Sequence, residues 1–202
     1  MNLIESFARA LPPRDQVETR NATRLTRLSW GESAYLHTII KPVEFSIVTE
    51  VAQELDFPPS LVVHFRRCNG AQLFVASVTC RGMSLFGCRE RDKPFDRSSS
   101  EPSAIDIRQK KGVVSGCVVF GSYGYDGSML MLDRQDETVR CSYGRDAART
   151  RRQWPSLDEF LESEVQRMSQ LFAPDGTCLV PCAELVPPSE SALGQEDVRP
   201  RP

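Results

Sequence analysis

The sequence predicts an α+β fold in which helices pack against a mainly antiparallel sheet. Apolar residues recur at helical spacing in two segments before residue 70 and in one segment after residue 155. Between them lie several short runs that are rich in branched and aromatic residues. Glycine-containing and polar turns separate these runs, and tight turns of this kind typically join antiparallel strands.

Composition limits the domain count and the functional class. The 202 residues are 40% hydrophobic and 26% charged, which fits one globular domain with extra segments, or at most two small domains. The formal net charge of −2 does not predict binding to nucleic acid, because proteins that bind phosphates are usually markedly basic. The sequence shows no signal peptide and no apolar run of the roughly 20 residues that a membrane span needs. We therefore expect a cytoplasmic protein with no membrane partner.

The N-terminal region carries few core signals. Residues 2–10 are predicted to form a short helix that Pro12 and Pro13 end. Residues 14–30 are polar and arginine-rich, and we expect an irregular lead-in there. Residues 35–40 are rich in aromatic and branched side chains and are predicted to form a first strand.

Two helices are expected next. Pro42 is suited to the first turn of a helix, and an apolar stripe continues to a predicted end near Asp56. Pro59 is expected to open a second helix. Asn69 and Gly70 both accept the left-handed conformation that closes helices, so they are predicted to stop it, with a positive φ at Gly70.

The middle of the chain reads as short strands. Turns are predicted at Asp126-Gly127 and at Gln135-Asp136, and residues 89–104 are charged and serine-rich, which predicts an exposed loop. The predicted strands occupy residues 72–78, 83–86, 113–120, 129–132 and 138–143.

The last helix has the clearest signature. Ser156 is a candidate N-cap, and Glu159 three residues later completes a capping box. Trp154, just before it, is expected to pack on the sheet. Beyond Phe172 the chain has six prolines, many polar residues and no periodicity, so residues 173–202 are predicted to be a mostly disordered tail. The apolar face of the helix consists of Leu157, Phe160, Leu161, Val165, Met168 and Leu171.

Three stretches in the right order resemble the Smi/Knr-like (SUKH) superfamily: residues 55–74, which contain the Asn-Gly pair, the glycine-rich turn and apolar strand of 120–133, and the closing helix start of 154–161. The resemblance covers about residues 43–172. It implies a mixed sheet packed on helices. It also implies an immunity protein that neutralises a bacterial toxin, or a regulatory adaptor with no toxin. The predicted organisation is a lead-in (1–41), a SUKH-like domain (42–172) and a tail (173–202).

The residues expected to matter are of two kinds. Asn69, Gly70, Gly124, Gly127 and Trp154 are the fold-signature residues, which allow tight backbone or packing rather than chemistry. The candidate partner-binding residues form a list of three: Tyr123, Tyr125 and Asp126. Flanking glycines favour an exposed turn, and exposed tyrosines are common binding anchors, although strand alternation would bury one of the two.

Catalytic, metal and cofactor sites are not predicted. Residues 121–124 lack the Gly-x-Ser-x-Gly pattern of a nucleophile elbow. An enzyme that uses Cys68 or Cys117 is the remaining alternative, since His64 would share a helix face with Cys68. The seven cysteines are expected to be small hydrophobic residues in a reducing compartment, and Cys178 and Cys182 lack further ligands at zinc-site spacing. The basic cluster consists of Arg145, Arg149, Arg151 and Arg152, and it is interpreted as a solvated loop.

Overall fold

The structure, a computed structural model, is built around one antiparallel sheet. In the described part of the chain the sheet has nine strands, and their spatial order follows the chain from β1 to β9. The structure describes residues 5–7, 15–29, 31, 34–90, 102–110 and 116–189. The strands are β1 (Gln16–Glu18), β2 (Ala22–Arg27), β3 (Tyr35–Ile40), β4 (Ala71–Val75), β5 (Arg81–Leu85), β6 (Cys117–Tyr123), β7 (Met129–Asp133), β8 (Val139–Tyr143) and β9 (Asp146–Trp154).

Besides the helical residues 5–7, the described part of the chain has three α-helices: α1 (Phe45–Leu55), α2 (Pro59–Phe65) and α3 (Leu157–Ser169). Short 3₁₀ helices occupy Ile107–Lys110 and Cys182–Leu185. The α+β prediction is therefore confirmed.

Proline and left-handed residues set the limits of α1 and α2. Asp56 has φ +53° and closes α1, and Pro59 is the first residue of α2, as predicted. Pro42 does not open α1, because the helix begins at Phe45, after Glu44. No side chain caps that start, so the proline pattern pointed to a position three residues too early.

The irregular lead-in predicted for residues 14–30 is wrong, because this region contains β1 and β2. In β2, Ala22, Thr23, Leu25 and Thr26 are all buried. β2 pairs with β3, and Thr23 lies opposite Ile39. Two of the buried residues are threonines, and the surrounding segment is rich in arginine. The composition therefore did not indicate a strand with buried side chains.

Two predicted segments fall partly outside the described residues. Of the helix predicted over 2–10, residues 5–7 are described and are helical, and Phe7 is fully buried there. Of the loop predicted over 89–104, residues 91–101 lie outside the described part. At the end of that loop Ser103 is exposed, as predicted, whereas Ala104 is buried.

We call the junction between α2 and β4 the Asn69–Gly70 crossing. The Asn69 side chain donates to the Cys88 carbonyl at 2.9 Å and accepts from the Cys88 amide at 2.7 Å. The Ile40 amide donates to the Gly70 carbonyl at 2.9 Å. Gly70 has φ +90°, as predicted, but α2 ends at Phe65, so the pair acts after the helix. The crossing ties the end of β3 to the chain that leaves β5.

The α3 helix packs on the sheet through aromatic contacts. The Phe160 ring lies 5.7 Å from Phe120 in β6 and 4.9 Å from Trp154, the last residue of β9. The Ser156 hydroxyl accepts from the Glu159 amide at 3.2 Å, which confirms the predicted N-cap. Trp154 was expected to pack on the sheet; it is itself the last residue of β9, and its buried ring packs against Phe160 of α3.

The segment after α3 packs against the domain as far as it is described. Leu185 is fully buried and Val186 nearly so. Disorder was predicted for 173–202, and this is wrong for 173–189; residues 190–202 lie outside the described part. The prediction relied on the prolines and on the absence of periodicity. The segment is held instead by Arg167, which donates to its carbonyls, and by the buried side chains of Leu185 and Val186.

Candidate functional site

A tight turn joins β6 to β7 and presents one exposed tyrosine. We call residues 124–128 the Tyr125 turn, in which the Tyr125 side chain is 55% exposed. The Gly124 amide donates to the Gly82 carbonyl at 2.8 Å, and the Tyr123 amide donates to the Ser128 carbonyl at the same distance. A methyl group at Gly124 would lie 2.8 Å from the Arg81 carbonyl oxygen, so glycine allows this close approach. The turn is therefore fixed at its base while Tyr125 projects.

Tyr123 does not project with Tyr125, so of the two alternatives the structure has the one in which strand alternation buries one tyrosine. The Tyr123 side chain is 1% exposed, and its hydroxyl donates to a carboxylate oxygen of Glu164 at 2.6 Å. Burial, and then the nearby Glu164 carboxylate, raise the pKa of Tyr123 well above its ordinary value. Tyr123 ends β6 with its side chain inward, and the chain reverses before Tyr125. Tyr123 is thus an anchor of the core.

Glu164 lies at the centre of a buried polar network. Arg167 donates to both Glu164 carboxylate oxygens, at 2.8 and 3.1 Å, and Glu164 itself is 1% exposed. The Arg167 guanidinium also donates to the carbonyls of Glu184 and Leu185. Because a buried carboxylate requires such partners, the network joins β6, α3 and the C-terminal segment into one unit.

Asp126 is occupied within the molecule. One carboxylate oxygen accepts from the Ser128 amide at 2.8 Å, and the other accepts from Arg151 at 2.9 Å. The side chain thus stabilises the turn and joins it to β9. Asp126 is one of the candidate partner-binding residues, but its carboxylate is already bonded within the molecule.

The arginine cluster lies on β9 and its preceding turn, and not on a solvated loop. The guanidinium groups of Arg149 and Arg151 each lie 4.8 Å from the centre of the Tyr143 ring. Arg145 approaches Gly127, where a methyl group would lie 3.4 Å from its side chain. These contacts make one continuous region, which we call the Tyr125 surface: Tyr125, Tyr143, Arg145, Arg149 and Arg151.

Serine hydroxyls connect the two turns below the Tyr125 surface. Ser142 accepts from the Met129 amide at 2.8 Å and donates to the Gly144 carbonyl at 2.6 Å. The Gly144 amide donates to the Ser128 hydroxyl at 3.0 Å. Ser128 and Ser142 are both fully buried, so these bonds fix the position of the β8–β9 turn against the Tyr125 turn.

Five of the seven cysteines and both histidines are buried, and the other two cysteines are half-buried. Burial raises the pKa of Cys68 to about 12 and also raises that of Cys117, which disfavours the thiolate that a nucleophile needs. Burial lowers the pKa of His64 to about 4. Cys178 and Cys182 lie close to Cys80, the first residue before β5. Within the described ranges, no three His, Cys, Asp or Glu side chains are placed to hold a metal ion.

The sequence indicated the turn but not what supports it. The Glu164–Arg167 pair has the spacing of an exposed ion pair on a helix surface, so nothing local marked it as buried. The single available signal was the position of Glu164 directly before Val165 on the apolar face of α3. The arginines of β9 indicated a loop, although the segment forms a strand whose last residue, Trp154, is buried.

Comparison with known proteins identifies the family. None of the helices described is long and apolar enough to cross a bilayer. Neither the curated proteins nor the solved structures contain a significant match to this chain. The model of the SMI1 / KNR4 family (SUKH-1) matches residues 45–163, which is more than half of the chain and spans α1 to α3. The chain therefore belongs to the SMI1/KNR4 (SUKH-1) family.

Proposed function

We propose that this chain is a non-catalytic immunity protein of the cytoplasm, which neutralises a cognate bacterial toxin by binding it through the Tyr125 surface. The observation that supports this most is the exposed Tyr125 on a turn whose base is held by buried hydrogen bonds. A large, amphipathic side chain on a rigid support loses little entropy when it is buried by a partner.

The charge around Tyr125 favours an acidic partner surface. Arg145 and Arg149 have no ion-pair partner among the described residues, and Asp126 is already bonded to Arg151. Exposed arginine beside an aromatic residue is a combination that is enriched in binding hot spots. The whole chain carries −2, so this positive region would orient the partner rather than attract it from a distance.

The test begins with the natural partner. A tagged chain is used to capture proteins from its native cells, and each captured protein is purified and expressed alone in a test host. We expect one captured protein to stop growth, and co-expression of the wild-type chain to restore it. Captured partners that never affect growth would contradict the immunity role and favour the regulatory adaptor of the same fold.

The binding surface is tested with a matched pair of variants. We expect Tyr125→Ala to weaken partner binding by about 2 kcal/mol, roughly thirty-fold, in calorimetry. The control is Phe45→Ala, which removes an aromatic side chain that is 49% exposed. Phe45 begins α1, whose last carbonyl accepts from Arg134 in the β7–β8 turn, at the opposite end of the strands. Equal affinities for both variants would contradict the proposed surface.

A further inference from the structure

The β9 strand is the outer strand of the sheet on its C-terminal side. It has nine residues and pairs only with β8 among the strands that the structure describes. At the other side of the sheet, the outer strand β1 has three residues. An outer strand has a row of backbone amides and carbonyls that a further strand can pair with, and β9 is long enough for this.

The pairing of β9 with β8 is regular only in its last part. Arg152 lies opposite Cys141, Gln153 opposite Arg140 and Trp154 opposite Val139. Before Arg152 the register shifts twice: Thr150 lies opposite Ser142, which leaves Arg151 as an extra residue, and Asp146 lies opposite Tyr143, which leaves residues 147–149 as extra residues. Bulges and charged side chains are the devices that protect an outer strand from pairing with the wrong chain.

The charge of β9 selects which chain can pair with it. From residue 145 to 152 there are four arginines and one aspartate, a formal charge of +3 in a chain of net −2. A second copy of β9 would bring arginines against arginines, and like charges directly opposite each other are destabilising. An extended segment with carboxylates facing Arg149 and Arg152 would instead form opposite-charge pairs.

We infer that the partner adds an acidic, extended segment to the outer edge of β9. This inference rests on the proposed function, because the segment would lie next to Tyr125 and belong to the same partner. Backbone hydrogen bonds would hold the segment along residues 150–152. The arginines would select its charge, and Tyr125 would contact the part of the partner that lies beyond the strand.

The inference can be tested without the natural partner. The probe is a short peptide of alternating glutamate and threonine, titrated into the isotope-labelled full chain while backbone amide signals are recorded by NMR. The comparison peptides are the same sequence with lysine in place of glutamate, and the glutamate peptide with every backbone nitrogen methylated. Full methylation keeps the charge but removes the donors from both edges of the peptide.

We expect the glutamate peptide to shift the amide signals of residues 150–152 and to bind at least about tenfold more tightly than either comparison peptide. Arg149→Glu should abolish this binding, whereas the control Arg20→Glu, an exposed arginine before β2, should leave it unchanged. Equal binding of the methylated peptide would overturn strand addition. Amide shifts confined to other strands, or no binding, would also overturn the inference. The arginines would then serve only to keep β9 from pairing with the wrong chain.

The inference and the proposed function can fail separately. If no peptide binds β9 while the captured partner still depends on Tyr125, the strand addition is wrong and the proposed function stands. If the glutamate peptide binds β9 but Tyr125→Ala leaves partner affinity unchanged, β9 accepts acidic strands and the proposed surface is wrong.

Discussion

The Asn69–Gly70 crossing and the Tyr125 turn use similar residues in opposite environments. Each contains a glycine with positive φ, +90° at Gly70 and +72° at Gly127. At Gly70 a methyl group would lie 2.7 Å from the Leu85 carbonyl oxygen, whereas at Gly127 it would meet only the flexible Arg145 side chain at 3.4 Å. The comparison shows that a glycine pattern predicts backbone conformation, while its energetic importance depends on what surrounds it.

The largest difference is expected between matched glycine substitutions. Gly70→Ala should lower the free energy of unfolding by about 3 kcal/mol or more, because strained φ is combined with a backbone contact that cannot move. Gly127→Ala should cost about 1 kcal/mol, from the positive φ alone. Urea unfolding followed by circular dichroism measures both. Equal losses would show that the contact at Gly70 relaxes easily.

The polar side chain of each region gives the next comparison. Asn69→Ala should cost about 2–3 kcal/mol, because the amide and the carbonyl of Cys88 would lose their partner in the core. Asp126→Asn keeps the shape of the turn and removes an ion pair whose side chains are 20% and 22% exposed, so we expect a loss of about 1 kcal/mol. The same unfolding experiment tests the pair, and a larger loss for Asp126→Asn would reverse the comparison.

Low pH should weaken the α2 side of the Asn69–Gly70 crossing. Burial lowers the pKa of His64 from 6.5 to about 4, so the unfolded chain binds a proton there that the folded chain refuses. Burial of neutral His64 therefore does not lower the free energy of unfolding above pH 6.5. That free energy falls as the pH decreases from 6.5 to about 4. At about pH 5 the expected loss is roughly 2 kcal/mol.

The variant His64→Leu isolates this contribution. Its loss of unfolding free energy between neutral pH and about pH 5 should be smaller than that of the wild type by roughly 2 kcal/mol. The variant should still lose unfolding free energy at low pH, because burial also lowers the pKa of His37 to about 3. An unchanged pH dependence would mean that His64 is hydrated in solution.

The smallest difference within a pair is expected between the two tyrosines. Tyr123→Phe removes the hydroxyl that donates to Glu164, and we expect a loss of about 1–2 kcal/mol. Tyr125→Phe should change stability by less than about 0.5 kcal/mol, because the side chain is largely in solvent. Thermal unfolding of the two variants provides the measurement. A destabilised Tyr125→Phe would show that its hydroxyl supports the turn.

Local signals predicted the elements whose limits are set locally. Pro59, Asp56 and the Ser156 cap act within one helical turn, so their positions could be predicted from neighbouring residues alone. Of the candidate site, the turn and the exposure of Tyr125 were predictable from the glycines. The burial of Tyr123 was not, because it depends on Glu164, 41 residues later.

The remaining errors concern elements that depend on distant contacts. β2 is polar in sequence, yet it is buried because β1 and β3 pair with its two edges. The segment around Leu185 has no period of its own and is held by Arg167, 18 residues earlier. Such elements gain their stability from the partner that they meet, so their own composition does not report it.

The unbroken strand order has a consequence for how the chain is made. Every strand pairs with the strand before it in sequence, so its partner has already left the ribosome when the strand emerges. The sheet can therefore grow in the direction of synthesis, without waiting for a distant C-terminal strand to fill a gap. Of the described strands, β9 is synthesised last, and α3 follows it directly and packs on Trp154.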